Sequence, residues 1–301
     1  MSPDVQIVLS AYNGRPYLPA QIESIRRQNG VTWSLHIRDD GSTDPGSRAV
    51  LAAYADPPGV EVLYGDNLGT VRSFWALLRH ADPKVRYIAF CDQDDWWYPD
   101  KLARAVAALD RHPPETPLAY GTRVDIGDQN LAVRGRSPRW PHPPGLGNAL
   151  VENIVSGCTL VVNQALRHRL LALTDTDLKD VRMHDAWCYL VAAAFGRVVF
   201  EAEPSLIYRQ HPRNVVGARG HALSRFMAKV AHQTRGGSGD VLTRQAERFR
   251  SVYGAELSPR QRALLASFID RPGRLGRLGT AFDGRIWRQF VVDDLALRFL
   301  V

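Results

Sequence analysis

The first half of the chain alternates short apolar runs with amphipathic helical patterns. That alternation restricts it to an α/β architecture, in which strands joined by crossover helices form a mainly parallel sheet flanked by those helices. Val5 to Ser10, Ser34 to Arg38, Val60 to Tyr64 and Tyr87 to Cys91 read as strands. Between them, Leu18, Ile22 and Ile25 share one helical face, and Val71, Phe74, Trp75 and Leu78 share another. Pro99 is placed as the first residue of a further helix, anchored by Leu102, Val106 and Leu109. Residues 126–147 interleave Pro138, Pro141, Pro143 and Pro144 with Arg134, Arg136 and Arg139, which predicts an irregular loop over the site. Thr159 to Val162 resumes a strand, with helices over Gln164 to Leu173 and His184 to Phe195 and a short strand over Val198 to Glu201.

Beyond Gly217 only helical patterns remain. They run through Leu223, Phe226, Met227 and Val230, then Leu242, Ala246 and Phe249, then a Ser258-Pro259 start, then Ile286, Phe290 and Leu297. The expected division is a single Rossmann-like domain over 1–217 and a separate basic helical extension over 218–301, with a flexible joint at Gly236-Gly237-Ser238-Gly239.

With 301 residues and 45% hydrophobic content, the chain can bury one large core. Cys91, Cys158 and Cys188 are too few and too scattered for a disulfide framework or a zinc site, so a reducing, cytoplasmic setting is expected. Met1 leads at once into polar residues, and no apolar run approaches the ~20 residues of a membrane span, so neither signal peptide nor transmembrane helix is expected. The formal net charge of +7 resides in the tail. Residues 216–301 hold 15 Lys+Arg against 7 Asp+Glu, whereas residues 1–215 hold 23 against 24. Nucleic acid, an acidic membrane face, a phosphorylated acceptor or plain solvation each answer to such a surface.

In open α/β sheets ligands sit at the carboxyl ends of the strands, and here those ends carry Tyr12-Asn13, Asp39-Asp40, Asn67 and Asp92-Gln93-Asp94-Asp95. Three carboxylates where a buried strand breaks off repel one another, and hard cations carrying phosphate oxygens are what such clusters hold. A nucleotide diphosphate is therefore the expected ligand. Asp40 can accept the imide N–H of uracil or thymine, Tyr12 can stack on that base, and Arg72 can meet a phosphate or a base carbonyl. Asp92 and Asp94 alternate along an extended segment, so both approach one Mg²⁺ or Mn²⁺. Asp95 then points elsewhere, toward sugar or acceptor, and Trp96-Trp97 either floor a sugar pocket or pack in the core. Asp185, opening a helix, is a general base or an ordinary cap. His211 is a metal ligand or a satisfied buried histidine, and Arg209 two residues before it can reach a phosphate.

Three segments, Val8-Leu9-Ser10-Ala11-Tyr12-Asn13-Gly14, Asp39-Asp40-Gly41-Ser42-Thr43-Asp44 and Phe90-Cys91-Asp92-Gln93-Asp94-Asp95-Trp96, resemble glycosyltransferase family 2, inverting enzymes of GT-A fold, in order and spacing. Ser156-Gly157-Cys158-Thr159, His184-Asp185-Ala186-Trp187 and Tyr208-Arg209-Gln210-His211 look like its bacterial rhamnosyltransferase-type branch. The resemblance covers about residues 4 to 217. It implies a GT-A fold, Asp40 on the pyrimidine, Asp92 on the diphosphate and Asp92 and Asp94 as the metal-binding D-x-D, Asp185 as catalytic base, and His211 and Arg209 attending the metal and diphosphate. Gly157, Cys158 and His184 then fall by the sugar or acceptor pocket, with His184 where the family usually has an acid.

The implied reaction is metal-dependent, inverting transfer from dTDP-L-rhamnose, or otherwise a UDP-sugar, to a hydroxyl of a polysaccharide or lipid-linked acceptor. The tail is expected to dock on an anionic membrane at its inner face or to self-associate into a homo-oligomer, with no nucleic-acid partner. A sugar-nucleotide pyrophosphorylase or a Rossmann dehydrogenase would need a Gly-rich loop after the first strand, which Ser10 to Pro16 does not supply. A catalytically silent scaffold would have no need of Asp40, Asp92, Asp94 and Asp185 together.

Overall fold

A computed structural model describes residues 3–55, 59–211, 239–270 and 284–290. In chain order the strands are β1 (Val5–Ala11), β2 (Trp33–Asp40), β3 (Val60–Gly65), β4 (Tyr87–Cys91), β5 (Trp96–Trp97), β6 (Leu118–Thr122), β7 (Asp125–Gly127), β8 (Val133–Arg136), β9 (Val161–Asn163), β10 (Arg197–Glu201) and β11 (Leu206–Arg209). The helices are α1 (Leu18–Arg26), α2 (Pro45–Tyr54), α3 (Thr70–His80), α4 (Lys101–Leu109), α5 (Leu146–Ala149), α6 (Gln164–Leu170), α7 (His184–Phe195), α8 (Gly239–Tyr253) and α9 (Pro259–Ile269).

Seven strands form one sheet in the order β10-β6-β9-β4-β1-β2-β3, in which only β9 runs against the rest. The register pairs Ala11 with Asp39, Asp40 with Gly65 and Leu9 with Cys91, so Tyr12, Asp40 and Asp92 emerge along one rim. Because side chains alternate across a strand, Ile7 and Leu9 of β1 pack with α1 and α4 on one face. Val8 packs with Phe74 and Leu78 of α3 on the other. A second sheet, β5-β11-β7-β8, stands beside the rim.

The structure departs from the sequence reading at four places. The helix after β4 begins at Lys101 rather than Pro99, because the amide of Lys101 closes a turn on Tyr98 O at 3.1 Å. The expected loop 126–147 opens with the β7–β8 hairpin, whose turn is closed by Asp128 Oδ1 accepting from the amides of Asn130 (2.9 Å) and Ala132 (3.1 Å). The prolines all follow β8, and α5 lies beyond them. Thr159 belongs to a 3-10 turn, Gly157–Thr159, and the strand starts only at Val161.

The described part of the extension, finally, is not apart from the body. Leu242, Ala246, Phe249 and Tyr253 of α8, with Leu265 of α9 and Ile286, sit in the same core cluster as Trp187 and Tyr189 of α7. Ile286 and Phe290 are not helical. Their stretch is fastened by Gln289 N to Glu152 Oε2 (2.7 Å) and by Asn148 Nδ2 to Trp287 O (3.1 Å), contacts that replace an internal helical ladder. Leu223, Phe226, Met227, Val230, Leu297 and residues 236–238 of the expected joint lie outside the described residues. Among those described, no helix is long and apolar enough to cross a membrane.

Candidate active site

At the end of β1 the chain turns sharply, with Asn13 at φ 51° and its Oδ1 accepting from the amides of Thr43 (2.9 Å) and Asp44 (3.0 Å). Asn tolerates that left-handed conformation, and the turn locks the β1 end to the β2 end. Gln93 locks it to the β4 end, since its Oε1 accepts from Tyr12 N (2.9 Å) and its Nε2 donates to Tyr12 O (3.1 Å). At position 14 a Cβ would lie 2.3 Å from Gln93 Oε1, so a larger residue would displace the Gln93 amide. The result is a cavity of about 830 Å³ lined by Tyr12, Asn13, Arg15, Pro16, Tyr17, Asp44, Gln93, Asp94 and His211. Tyr12 is 43% exposed there.

The carboxylate of Asp40 does not line this cavity. It ties β2 to the start of α3, with Oδ1 accepting from Leu68 N (2.9 Å) and Arg38 Nη1 and Oδ2 accepting from Gly69 N (3.0 Å). Asp40 is buried, with three of the about four acceptor sites of a carboxylate occupied. Arg72 is half-buried in the first turn of α3, three residues after Gly69.

The backbone bends at Gln93 and Asp94, which breaks the two-residue alternation on which a shared Asp92–Asp94 site depended. Asp94 instead turns to His211, with Oδ2 and Nε2 2.8 Å apart on the cavity wall. Asp92 gathers with Asp95 and Cys158, their ligand atoms all within 4.8 Å of one another. Tyr17 stacks on the His211 ring at 4.1 Å and 17°. Arg209 holds this arrangement through Nε to Asp94 O (2.7 Å), Nη1 to Gln129 O (3.0 Å) on the β7–β8 turn, and its amide to Asp95 Oδ1 (3.1 Å).

Asp95 is fully buried, which removes it from contact with a sugar in this arrangement. Trp97 is likewise core, buried beneath Lys101 Nζ at 4.6 Å, while Trp96 is half-buried under the Arg27 guanidinium at 5.3 Å. Trp97 therefore packs in the core and does not floor a pocket.

Asp185 opens α7, where the positive end of the helix dipole favours a carboxylate. Its Oδ1 accepts from Ala186 N (2.7 Å) and its Oδ2 from Gly157 N (2.8 Å). His184 is buried between the rings of Phe74 (4.1 Å) and Phe90 (5.4 Å), and burial pulls its imidazole below the ordinary range, so it is neutral there. A Cβ on Gly157 would meet His184 Nε2 at 2.6 Å, which explains the glycine. Cys158 is fully buried.

One turn, Ser156 to Thr159, thus joins both halves of the rim: Gly157 holds Asp185, and Cys158 meets Asp92 and Asp95. Sequence reasoning did not single out Gln93, Tyr17, Arg15 or Lys101. Lys101 carried a signal, being a charge on the apolar stripe that continues through Ala105 and Leu109.

Residues 6–172 match the profile of the family described as "Glycosyl transferase family 2". Among curated proteins, the chain is 27% identical over 222 residues to "dTDP-rhamnosyl transferase RfbG" of Shigella flexneri, an overlap covering 70% of this chain and 74% of that protein. It is 35% identical over 104 residues to "Putative teichuronic acid biosynthesis glycosyltransferase TuaG" of Bacillus subtilis, covering 34% of this chain and 40% of the relative. Among solved structures, S. aureus TarS 1-349 in complex with UDP-GlcNAc superposes with a TM-score of 0.55 at 15% identity, over 98% of this chain and 90% of the other. At that identity the likeness concerns the fold alone.

Proposed function

The chain belongs to glycosyltransferase family 2 and has the GT-A fold, and on that premise we propose that it transfers L-rhamnose from dTDP-L-rhamnose, or otherwise a sugar from its UDP derivative, with inversion and with a divalent metal. The acceptor is a hydroxyl of a cell-surface polysaccharide or lipid-linked saccharide. Similarity to a protein described as a dTDP-rhamnosyl transferase supports the donor, and the teichuronic acid biosynthesis named for the Bacillus relative supports the acceptor class.

The observation that carries the mechanism is the Ser156–Thr159 turn, which sets a carboxylate of the first turn of α7 beside an acidic cluster at the carboxyl rim of the sheet. Asp185, held by two amides, takes the proton from the acceptor hydroxyl as it attacks the anomeric carbon. Asp94 and His211, an oxygen and a nitrogen donor converging on the cavity wall, suit Mg²⁺ or Mn²⁺, with Asp92 on the diphosphate side. When bound, the ion offsets charge growing on the departing diphosphate. Tyr12 offers its exposed ring to the base, Asp40 its remaining acceptor site to the imide N–H, and Arg209 fixes the strand that presents His211.

Two described arginines of the extension brace the chain internally. Arg248 pairs with Asp177 (3.0 Å) and Asp180 (2.7 Å), and Arg250 with Asp270 (2.8 Å).

A thermal-shift panel of dTDP, UDP, GDP and CDP with and without Mn²⁺ tests the donor half. At about 100-fold excess over Kd, dTDP and UDP with Mn²⁺ should each raise Tm by about 5 °C, and GDP and CDP by less than about 1 °C. Stabilisation that ignores Mn²⁺, or that favours GDP, contradicts the reading.

A further inference from the structure

We propose that His36, Glu61 and His80 form a second metal site, for a divalent ion of the zinc class, apart from the cavity and independent of the reaction assigned to it. The parallel register sets His36 of β2 beside Glu61 of β3, so their side chains share one face of the sheet. Val8, the neighbour of His36 on β1, packs with α3 on that same face, and α3 ends at His80. Nε2 of His80 lies 3.0 Å from Glu61 Oε1, and Nε2 of His36 lies 3.4 Å from Glu61 Oε2. One ligand atom from each of the three residues lies within 4.8 Å of the others. A tetrahedral Zn²⁺ with bonds of about 2.0–2.1 Å holds its ligand atoms about 3.4 Å apart, so the cluster already has nearly the size the ion needs.

The charge around the cluster also suits a cation. Among the described residues Glu61 has no lysine or arginine partner, only the two imidazoles, while the neighbouring Arg79 is turned to Asp175 at 2.6 Å. His80 is the last residue of α3, where the carbonyl end of the helix dipole favours positive charge. Two imidazole nitrogens and one carboxylate are a donor set that zinc takes, whereas Mg²⁺ prefers oxygen alone. Glu61 and His80 are 45% and 43% exposed, which leaves a coordination position open to water. Burial pulls the His36 imidazole below its ordinary range, against the opposing pull of Glu61, so the ring is neutral at pH 7 as a ligand must be.

Gln6 tunes the site from behind. Its Oε1 accepts from Asp82 N at 2.9 Å, which turns its Nε2 toward His36 Nδ1. Nδ1 is then the acceptor, and the proton of the neutral ring sits on Nε2, facing Glu61. An ion on Nε2 needs that proton on Nδ1, so binding turns the Gln6 amide over: its oxygen accepts from Nδ1, and the half-buried Asp82 amide passes to water. A carboxylate at position 6 would accept from both groups at once. The ion would tie β3, which ends the sheet and has only β2 beside it, to the end of α3.

The test titrates Zn²⁺ by calorimetry into the full-length D94A variant, in which the metal position proposed for the cavity is disabled. One Zn²⁺ should bind with a Kd of about 1 µM or tighter, and an excess of Mg²⁺ should not displace it. Adding H80A or E61Q, both at exposed positions, should weaken binding at least about 100-fold, more than loss of an outer partner does. Adding Q6E should tighten it about 10-fold. Co²⁺ in place of Zn²⁺ should show the intense visible absorption of a four-coordinate ion, and H80A should abolish it. No Zn²⁺ bound to D94A, or affinity that neither H80A nor E61Q changes, overturns the site. A folded Q6E that binds no tighter overturns ligation through His36, and if Q6E does not fold, H80A and E61Q decide alone.

Discussion

Asp185→Asn is expected to lower transfer about a thousandfold while leaving Mn²⁺-dependent dTDP binding intact. The substitution keeps size and shape but removes the proton acceptor. It also sets an amide NH₂ against one of two backbone donors, Gly157 N or Ala186 N, that the carboxylate satisfies in the unaltered chain. That mismatch costs about 1–3 kcal/mol, so Tm is measured alongside, to keep a stability loss apart from a catalytic one. dTDP release, with titration calorimetry for binding, provides the check. Turnover within about tenfold of the unaltered chain would take Asp185 out of its role.

Substitution on the other half of the rim should give the opposite pattern. Asp94→Ala and His211→Ala should each weaken Mn²⁺-supported dTDP binding about 100-fold, while the weak metal-free binding is unchanged. The effects should fall well short of multiplying in the double variant, because Asp94 Oδ2 and His211 Nε2 converge on one spot. Calorimetry with and without Mn²⁺ measures both. Affinity that is insensitive to either substitution would leave the pair as an ordinary buried hydrogen bond.

Much of the body was legible because its signals are local. β1, α1, α3 and β4 announce themselves in runs of five to eleven residues, and α7 matches its expected span of His184 to Phe195. What escaped is non-local. β5 is two residues long and exists because it pairs with β11 more than 100 residues later, a partnership no window of sequence displays. α8 behaves similarly. The stripe of Leu242, Ala246 and Phe249 was visible, but its burial against α7, which makes the described tail part of the core, is a tertiary fact.

The same boundary runs through the site. Residue types at strand ends pointed to the rim, yet the sequence reading drew partners from spacing alone. The bend at Gln93–Asp94 reassigns them, giving Asp94 to His211 and Asp92 to Asp95 and Cys158. Asp95 and Trp97 read as pocket residues because acid and aromatic side chains serve sugars well. Their full burial follows from β5 folding back under β11, with the Arg209 amide above Asp95. Lys101 was passed over because a lone lysine on a helix is usually solvated, and only its place on the apolar stripe of α4 argued otherwise.

The central claim is that one separate carboxylate and one metal-bound diphosphate act from opposite sides of the same sugar carbon. The anomeric configuration of the product, read from one-bond carbon–proton coupling by NMR after transfer from dTDP-L-rhamnose, tests it most directly. The account predicts a product inverted relative to the donor; a product of retained configuration would contradict it.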